Sequence, residues 1–183
     1  MLEIASWSWC NFLSYGDYVS TVDLDSMNQC FITGVVENEN GNNIPGKSNG
    51  AGKSSVIAAL QWALFGRTSH NANPGDKVMN HYSKNDCWAK VVLTNGDSIL
   101  RTRRQDGSSE VVYYHSGCEQ SIVADTLSTL KAQQARLNQV FKLDWDVFSK
   151  SVFFSVFDKS WMQMQDQQRK KVLERLLKLD RFE

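Results

Sequence analysis

The stretch that decides the fold reads Asn49-Gly50-Ala51-Gly52-Lys53-Ser54-Ser55. A loop that surrounds phosphate groups needs backbone N–H groups turned inward, and the glycines Gly50 and Gly52 permit that conformation. It also needs a lysine for the β- and γ-phosphates, here Lys53, and a hydroxyl for Mg²⁺, here Ser54. The stretch therefore predicts a site for the phosphates of a nucleotide, with ATP and Mg²⁺ as the simplest ligands.

The residues around this loop supply the context that such a site needs. Residues 54–65 are apolar on nearly all sides, which predicts a buried helix whose positive N-terminal end faces the phosphates, and Gly66 suits its C-terminal end. Residues 29–33 form a β-prone run that ends at Gly34 and predict a buried strand. The strict motif has a glycine where this chain has Lys47, so a glycine-rich turn before a core helix is the competing interpretation.

The rest of the chain predicts a mixed α/β layout. Two strands are expected near the start, at residues 2–9 and 19–24, and an Asn-Gly turn at Asn95 supports an antiparallel meander over residues 87–115. Two amphipathic helices are expected at residues 125–140 and 166–180. The fold class is therefore α/β, with the antiparallel meander beside the phosphate loop.

Composition narrows the class of protein. Lysine plus arginine equals aspartate plus glutamate among the 183 residues, so any nucleic-acid contact must come from a local patch. The four cysteines are widely spaced and form no CxxC pair, which favours neutral thiols in a reducing cytosol over a metal or disulfide framework. The first residues do not resemble a signal peptide, and no apolar run approaches the ~18 residues of a membrane span. A cytoplasmic protein without membrane contact is expected.

These residues resemble the head domain of the SMC-like ABC ATPases. Within that group the similarity is greatest to the SbcC-type double-strand-break-repair ATPases, including the large subunit of phage recombination exonucleases. The resemblance is carried by residues 49–55, by Ala63-Leu64-Phe65-Gly66, by Asn11-Phe12-Leu13-Ser14-Tyr15-Gly16, by the arginine-bearing strand 99–104 and by the tail 169–183, which looks like an exit into a coiled coil.

The resemblance implies a division of the chain and a set of partners. Residues 1–183 would form the N-terminal lobe of an ATPase head, with strands in 1–34, a loop insertion in 35–48, the phosphate loop and helix in 49–66, the meander in 87–115, and helices with a Q-loop-like segment in 125–183. The implied partners are the C-terminal lobe, a second head, an SbcD-type nuclease and DNA. A phage-encoded protein acting in a bacterial host fits the same group.

The resemblance also implies roles for particular residues. Asn11 and residues Asn49, Gly50, Ala51, Gly52, Lys53, Ser54 and Ser55 would bind ATP, with Ser54 holding Mg²⁺ through the nucleotide. The catalytic carboxylate would lie in the C-terminal lobe, so residues 1–183 alone should bind ATP and hydrolyse it poorly.

Four features depart from the family pattern. Gly34 best matches the first loop glycine, which leaves residues 35–48 as an insertion. Cys10 stands where a basic residue is usual. Val156 stands at the Q-loop position, and Ser155, Asp158 or Gln163 are the candidates to replace its glutamine. Residues 1–183 stop before any coiled coil, so the signature motif, the Walker B carboxylates and the switch histidine, which belong to the second lobe, are expected outside these residues.

Some features leave alternatives open. A DNA-facing patch or a solvated sheet surface would each account for the cations Arg67, Lys77, Lys90, Arg101, Arg103 and Arg104. The aromatic stripe of Phe148, Val152, Phe153, Phe154 and Phe157 is expected in the core. A small-molecule P-loop kinase, or a short decoy that binds a host ATPase head without catalysis, would also account for the phosphate loop.

Overall fold

A computed structural model describes residues 3–25, 27, 29–44, 48–69, 75–83, 85–116, 129–153 and 161–177. The strands are β1 (Ile4–Cys10), β2 (Ser20–Asp23), β3 (Cys87–Leu93), β4 (Ser98–Arg103) and β5 (Ser109–Tyr114). The helices are α1 (Lys53–Phe65), α2 (Leu130–Phe141), α3 (Trp145–Ser151) and α4 (Asp166–Leu176), with short 3₁₀ turns at Gly75–Val78 and Trp161–Gln163. Among these described helices, none is both long and apolar enough to cross a membrane.

The five strands form one antiparallel sheet in the order β2-β1-β3-β4-β5. The predicted meander is confirmed: β3 and β4 are joined at Asn95-Gly96, where Gly96 has a φ of 85° and the Leu93 amide donates to the Asp97 carbonyl at 2.8 Å. Alternate side chains of β3, from Cys87 to Leu93, are buried. This alternation gives the sheet one apolar face, and that face packs on a helix.

Helix α1 lies on the apolar face of the sheet. Eight of its thirteen residues are buried, which confirms the expected all-round burial. Trp62 is among the buried residues, and the indole of Trp7 in β1 donates to the Val56 carbonyl at 3.0 Å. The sheet therefore holds the helix along its length and sets the position of both its ends.

Helices α2 and α3 close the core at the far end of α1. Their first turns are capped by Thr129 and Asp144, whose side chains accept from backbone amides. Leu137 of α2 is fully buried, and the ring of Phe148 in α3 lies 4.9 Å from the ring of Phe65. The described part of α2 begins five residues after the expected start, and residues 121–128 lie outside the described residues.

Three sequence-based expectations are wrong or wrong in part. Residues 29–33 form no strand, and Phe31 is 88% exposed, because no strand among the described residues pairs with this segment. Phe148 is buried as expected, but Val152 is 62% exposed because α3 ends before it. In α4, Val172 is buried while Leu173 is 45% exposed, so only part of the expected apolar face is covered.

Candidate functional site

The N-terminal end of α1 is open. Gly50 and Gly52 have φ angles of 82° and 80°, which confirms that both positions use the left-handed conformation that glycine permits. Gly52 is the cap residue of α1, no side chain caps this end, and no acidic residue lies in the first turn. The first-turn amides and the positive end of the helix dipole are therefore not neutralised by an acidic or capping side chain.

Lys53 begins α1 and folds back over the loop. Its Nζ donates to the Ser48 carbonyl, so the ammonium group lies above the loop that precedes the helix. Gly34 lies against the same loop: a Cβ there would be 2.6 Å from the Cβ of Ala51 and 3.2 Å from Lys53 Nζ. Any larger residue at position 34 would displace the loop, and this close approach supports the match of Gly34 to the first loop glycine.

The segment after β1 forms a second wall of the loop. Ser14 Oγ lies 3.2 Å from Ser55 Oγ, and a Cβ on Gly52 would be 2.9 Å from Ser14 Oγ and 3.1 Å from the ring of Tyr15. Tyr15 packs edge-on against Trp9 at 5.1 Å, and burial, with a smaller contribution from Tyr18, raises the pKa of its phenol. Sequence reasoning missed Tyr15, because no residue spacing indicates that this turn contacts the loop.

Asn11 stabilises the turn after β1. It is fully buried with a φ of 54°, and its side-chain amide donates to the Asn85 carbonyl. Its backbone N–H donates to Gly16 at 2.8 Å and its carbonyl accepts from Asn80 at 3.0 Å. Among the described residues, none of the side-chain hydrogen bonds of Asn11 reaches residues 48–55. The expectation that Asn11 binds nucleotide stays a prediction.

The sequence predicts that Ser54 holds Mg²⁺ through the nucleotide, and this stays a prediction. Ser54 is exposed at the open end of α1, whereas the Ser55 hydroxyl is engaged with Ser14. The described residues contain no group of three or more His, Cys, Asp or Glu side chains that could hold a metal ion by themselves. A metal here would need the phosphates as ligands. The Q-loop position Val156 and the candidates Ser155 and Asp158 lie outside the described residues, whereas the third candidate, Gln163, ends the 3₁₀ turn Trp161–Gln163.

The C-terminal end of α1 is closed by side chains. Gly66, with a φ of 67°, donates its N–H to Trp62 at 2.8 Å. Arg101 Nε donates to the Ala63 carbonyl at 3.3 Å, and Gln134 Nε2 donates to the Leu64 carbonyl at 2.9 Å. The expectation that Gly66 ends the helix is confirmed.

Arg101 cannot join a patch on the open face of the meander. Its side chain is only 3% exposed, and burial lowers its pKa to about 9, so the group still carries a charge at neutral pH. Arg104, two residues beyond Thr102 on the turn, is exposed and pairs with Glu110 at 2.5 Å. The proposed DNA-facing row of arginines is therefore split, because β4 turns Arg101 towards α1.

The comparisons with known proteins give one protein family and a set of solved structures. A family model described as "AAA domain" matches residues 8–182. No curated protein matches the sequence. Eighteen chains of solved structures match, among them a crystal structure of the SmcHead bound to the C-winged helix domain of ScpA, at 15% identity and a TM-score of 0.44. That match covers 94% of this chain and 54% of the other, so the chain spans about half the length of that head.

Proposed function

The chain belongs to the AAA domain family, and from that premise we propose that it is the ATP-binding lobe of an SMC-like ABC ATPase head of the SbcC type. In this proposal the head serves a DNA double-strand-break repair and recombination nuclease. The observation that carries the nucleotide part is the open N-terminal end of α1. An uncapped helix end with glycines at φ 82° and 80° and a lysine at its first position is suited to bind an anion.

The hydrogen-bond donors at this end of α1 fit a nucleoside triphosphate with its metal ion. The amides from Gly50 to Ser55 would donate to the phosphates, with those of Ala51 and Ser55 exchanging their bonds to the Ser48 and Gly52 carbonyls. Lys53 would likewise exchange its bond to the Ser48 carbonyl for the β- and γ-oxygens. Ser54 would be the one protein hydroxyl on the metal. Bound Mg²⁺ would supply neutralisation of the charge that develops on the transferred phosphate.

The walls of the site would hold the loop in its binding conformation. Ser14 and Tyr15 lie against Gly52 on one side of the loop. On the other side, Gly34 has no side chain and so leaves room for Ala51 and Lys53. Positioning of this kind is the protein's main contribution to phosphoryl transfer, because little covalent chemistry falls to the protein itself.

A second lobe is part of the proposal. Phe31, Ile32 and Val35 precede the loop and are exposed by 88%, 36% and 54%. Three exposed apolar side chains within five residues offer apolar surface for contact with another protein surface. We assign this segment to the contact with the C-terminal lobe, which would bring the catalytic carboxylate, and two such heads would close on two ATP molecules to control an SbcD-type nuclease on DNA ends.

A turnover assay on the 183-residue chain tests this reading. With Mg-ATP in excess, the chain should bind nucleotide but release phosphate far more slowly than complete ABC heads, because the carboxylate that orients water is supplied by the second lobe. Transfer of phosphate to small acceptors would instead identify a kinase. Multiple turnovers at the rate of a complete head would contradict the assignment to a single lobe.

A further inference from the structure

A recess opens at the end of α1 opposite the phosphate loop. It lies between the C-terminal end of α1, strands β4 and β5, and helix α2, and it encloses about 730 Å³. Its polar lining includes Arg67, Arg101, Arg103, Lys131, Gln134 and Asn138. No aspartate or glutamate is among the described residues that line it. We refer to this cavity as the arginine recess.

Arg101 forms the base of the arginine recess. Its described partners are all neutral: Nε donates to the Ala63 carbonyl and Nη2 donates to the Gln134 side chain. Nη1 lies beside Gly66, where a Cβ would be 3.0 Å away, and no acceptor for it is found among the described residues. A buried guanidinium usually pairs with a carboxylate. Arg101 has no such partner among the described residues, so its positive charge and its Nη1 donor are available to a ligand.

The negative C-terminal end of α1 neutralises only part of the positive charge around the recess. The C-terminal end of a helix carries about half a negative charge, which offsets half of one guanidinium. Arg67, held with its guanidinium carbon 5.3 Å above the Trp145 ring, and Lys131, exposed on α2, add two further cations around the opening. Among the described residues, the lining of the recess therefore carries more positive than negative charge at both its base and its rim.

We propose that the arginine recess binds linked phosphate groups, as a second phosphate site separate from the loop at residues 49–55. One carboxylate or one phosphate would fill only a small part of 730 Å³. A chain of two or three phosphates places a charge at the base and another at the rim, and arginine forks suit phosphate oxygens. Free polyphosphate and the backbone of a flexible nucleic-acid strand share this chemistry.

The two phosphate sites cannot share one nucleotide. Helix α1 has thirteen residues, so its ends are about 20 Å apart at 1.5 Å per residue. A triphosphate bound at Lys53 would not reach Arg101. The ligand of the arginine recess is therefore a second molecule or a second part of a long one.

The test uses the full 183-residue chain carrying Lys53→Ala, so that the first site contributes no signal. The side-chain ¹⁵N–¹H resonance of Arg101 Nε is followed while tripolyphosphate, a ten-residue oligothymidylate or hexaglutamate is added. Tripolyphosphate should shift this resonance saturably. Saturation by the oligothymidylate as well would identify a nucleic-acid strand as a source, whereas saturation by tripolyphosphate alone would identify free polyphosphate.

Matched variants separate a built site from general attraction. Arg67→Gln should weaken tripolyphosphate binding by roughly tenfold, the effect of losing a charged hydrogen bond. Lys131→Gln, exposed and easily accommodated on α2, should weaken it by about threefold, and if the strand binds it should lower its salt slope by about 0.7. Arg136→Gln on the same helix and Arg104→Gln on the adjacent turn remove the same charge outside the recess and should leave binding within twofold of the parent.

Three results would overturn the proposal: no shift with tripolyphosphate, tighter binding of hexaglutamate than of tripolyphosphate, or equal losses from Lys131→Gln and Arg136→Gln. None of these results would argue against ATP binding at the phosphate loop, because the protein under test already lacks Lys53. Conversely, a chain that fails to bind ATP at Lys53 would leave the arginine recess unaffected.

Discussion

The two ends of helix α1 differ in whether side chains of the protein pair with their backbone groups. At the C-terminal end, Gly66, Arg101 and Gln134 use their own donors to satisfy the helix carbonyls. At the N-terminal end, no side chain caps the helix and Ser54 stands exposed. The protein pairs carbonyls at the C-terminal end of α1, whereas the N-terminal end has no capping side chain, and this asymmetry supports the proposed nucleotide site.

The difference has a thermodynamic consequence. A helix end without caps forgoes about 1 kcal/mol that a capping residue would contribute. Residues that close the C-terminal end should therefore control the free energy of unfolding. Side chains at the N-terminal end, such as those of Lys53 and Ser54, should control ligand affinity while leaving stability nearly unchanged.

The largest expected effect comes from Arg101→Met. This change leaves the Ala63 carbonyl and the Gln134 side chain without their donor in a buried place. We expect a loss of about 3 kcal/mol in the free energy of unfolding, measured by urea denaturation. Arg104→Met, which removes an exposed ion pair, is the control and should change stability by less than about 1 kcal/mol. Equal losses would show that Arg101 does not close the helix.

The next largest effects on stability are expected from replacing the glycines at the two ends of α1. Gly66→Ala forces a φ of 67° on alanine and places its Cβ 3.0 Å from Arg101, so we expect a loss of about 2 kcal/mol. Gly50→Ala meets no atom within 4 Å and carries only the conformational cost, about 1 kcal/mol. Thermal unfolding of both variants measures the difference. A larger loss at Gly50 would contradict the structure of this end.

A smaller effect is expected from Gln134→Ala. It removes the 2.9 Å bond to the Leu64 carbonyl, and about 1 kcal/mol of stability should be lost in the same denaturation assay. Gln139→Ala, at an exposed position on the same helix, matches it in chemistry and should change stability by less than about 0.5 kcal/mol. Similar values for both would mean that α2 does not serve as a cap for α1.

The smallest stability effect is expected from Ser54→Ala. Because Ser54 is exposed and makes no cap, the free energy of unfolding should stay within about 0.5 kcal/mol of the parent. The variant should nevertheless lose the increase in ATP affinity that Mg²⁺ produces, since the hydroxyl is the proposed metal ligand. Titration of ATP with and without Mg²⁺ measures this. An unchanged Mg²⁺ effect would remove Ser54 from the site.

Local patterns allowed much of this comparison to be predicted from sequence. The ends of α1 follow from Gly52, Lys53 and Gly66, because glycine conformation and helix burial depend on nearby residues. The meander follows from the Asn-Gly turn at Asn95.

The errors arose where distant contacts decide the structure. Residues 29–33 have the composition of a strand, yet strand formation needs a paired neighbour that the sequence does not reveal. Arg101 alternates along β4 with its neighbours, and only the packing of α1 and α2 decides that it is buried. Tyr15 was missed for the same reason, because its contact with Gly52 joins segments 37 residues apart.

Calorimetric titration of Mg-ATP into the 183-residue chain and into its Lys53→Ala variant tests the central claim most directly. Loss of a lysine that contacts phosphate should weaken binding by about 1.5–3 kcal/mol, which is at least roughly tenfold, while urea denaturation shows equal stability for the two proteins. That result would establish the open end of α1 as the nucleotide site. Equal affinities, or no binding by a folded parent chain, would contradict it.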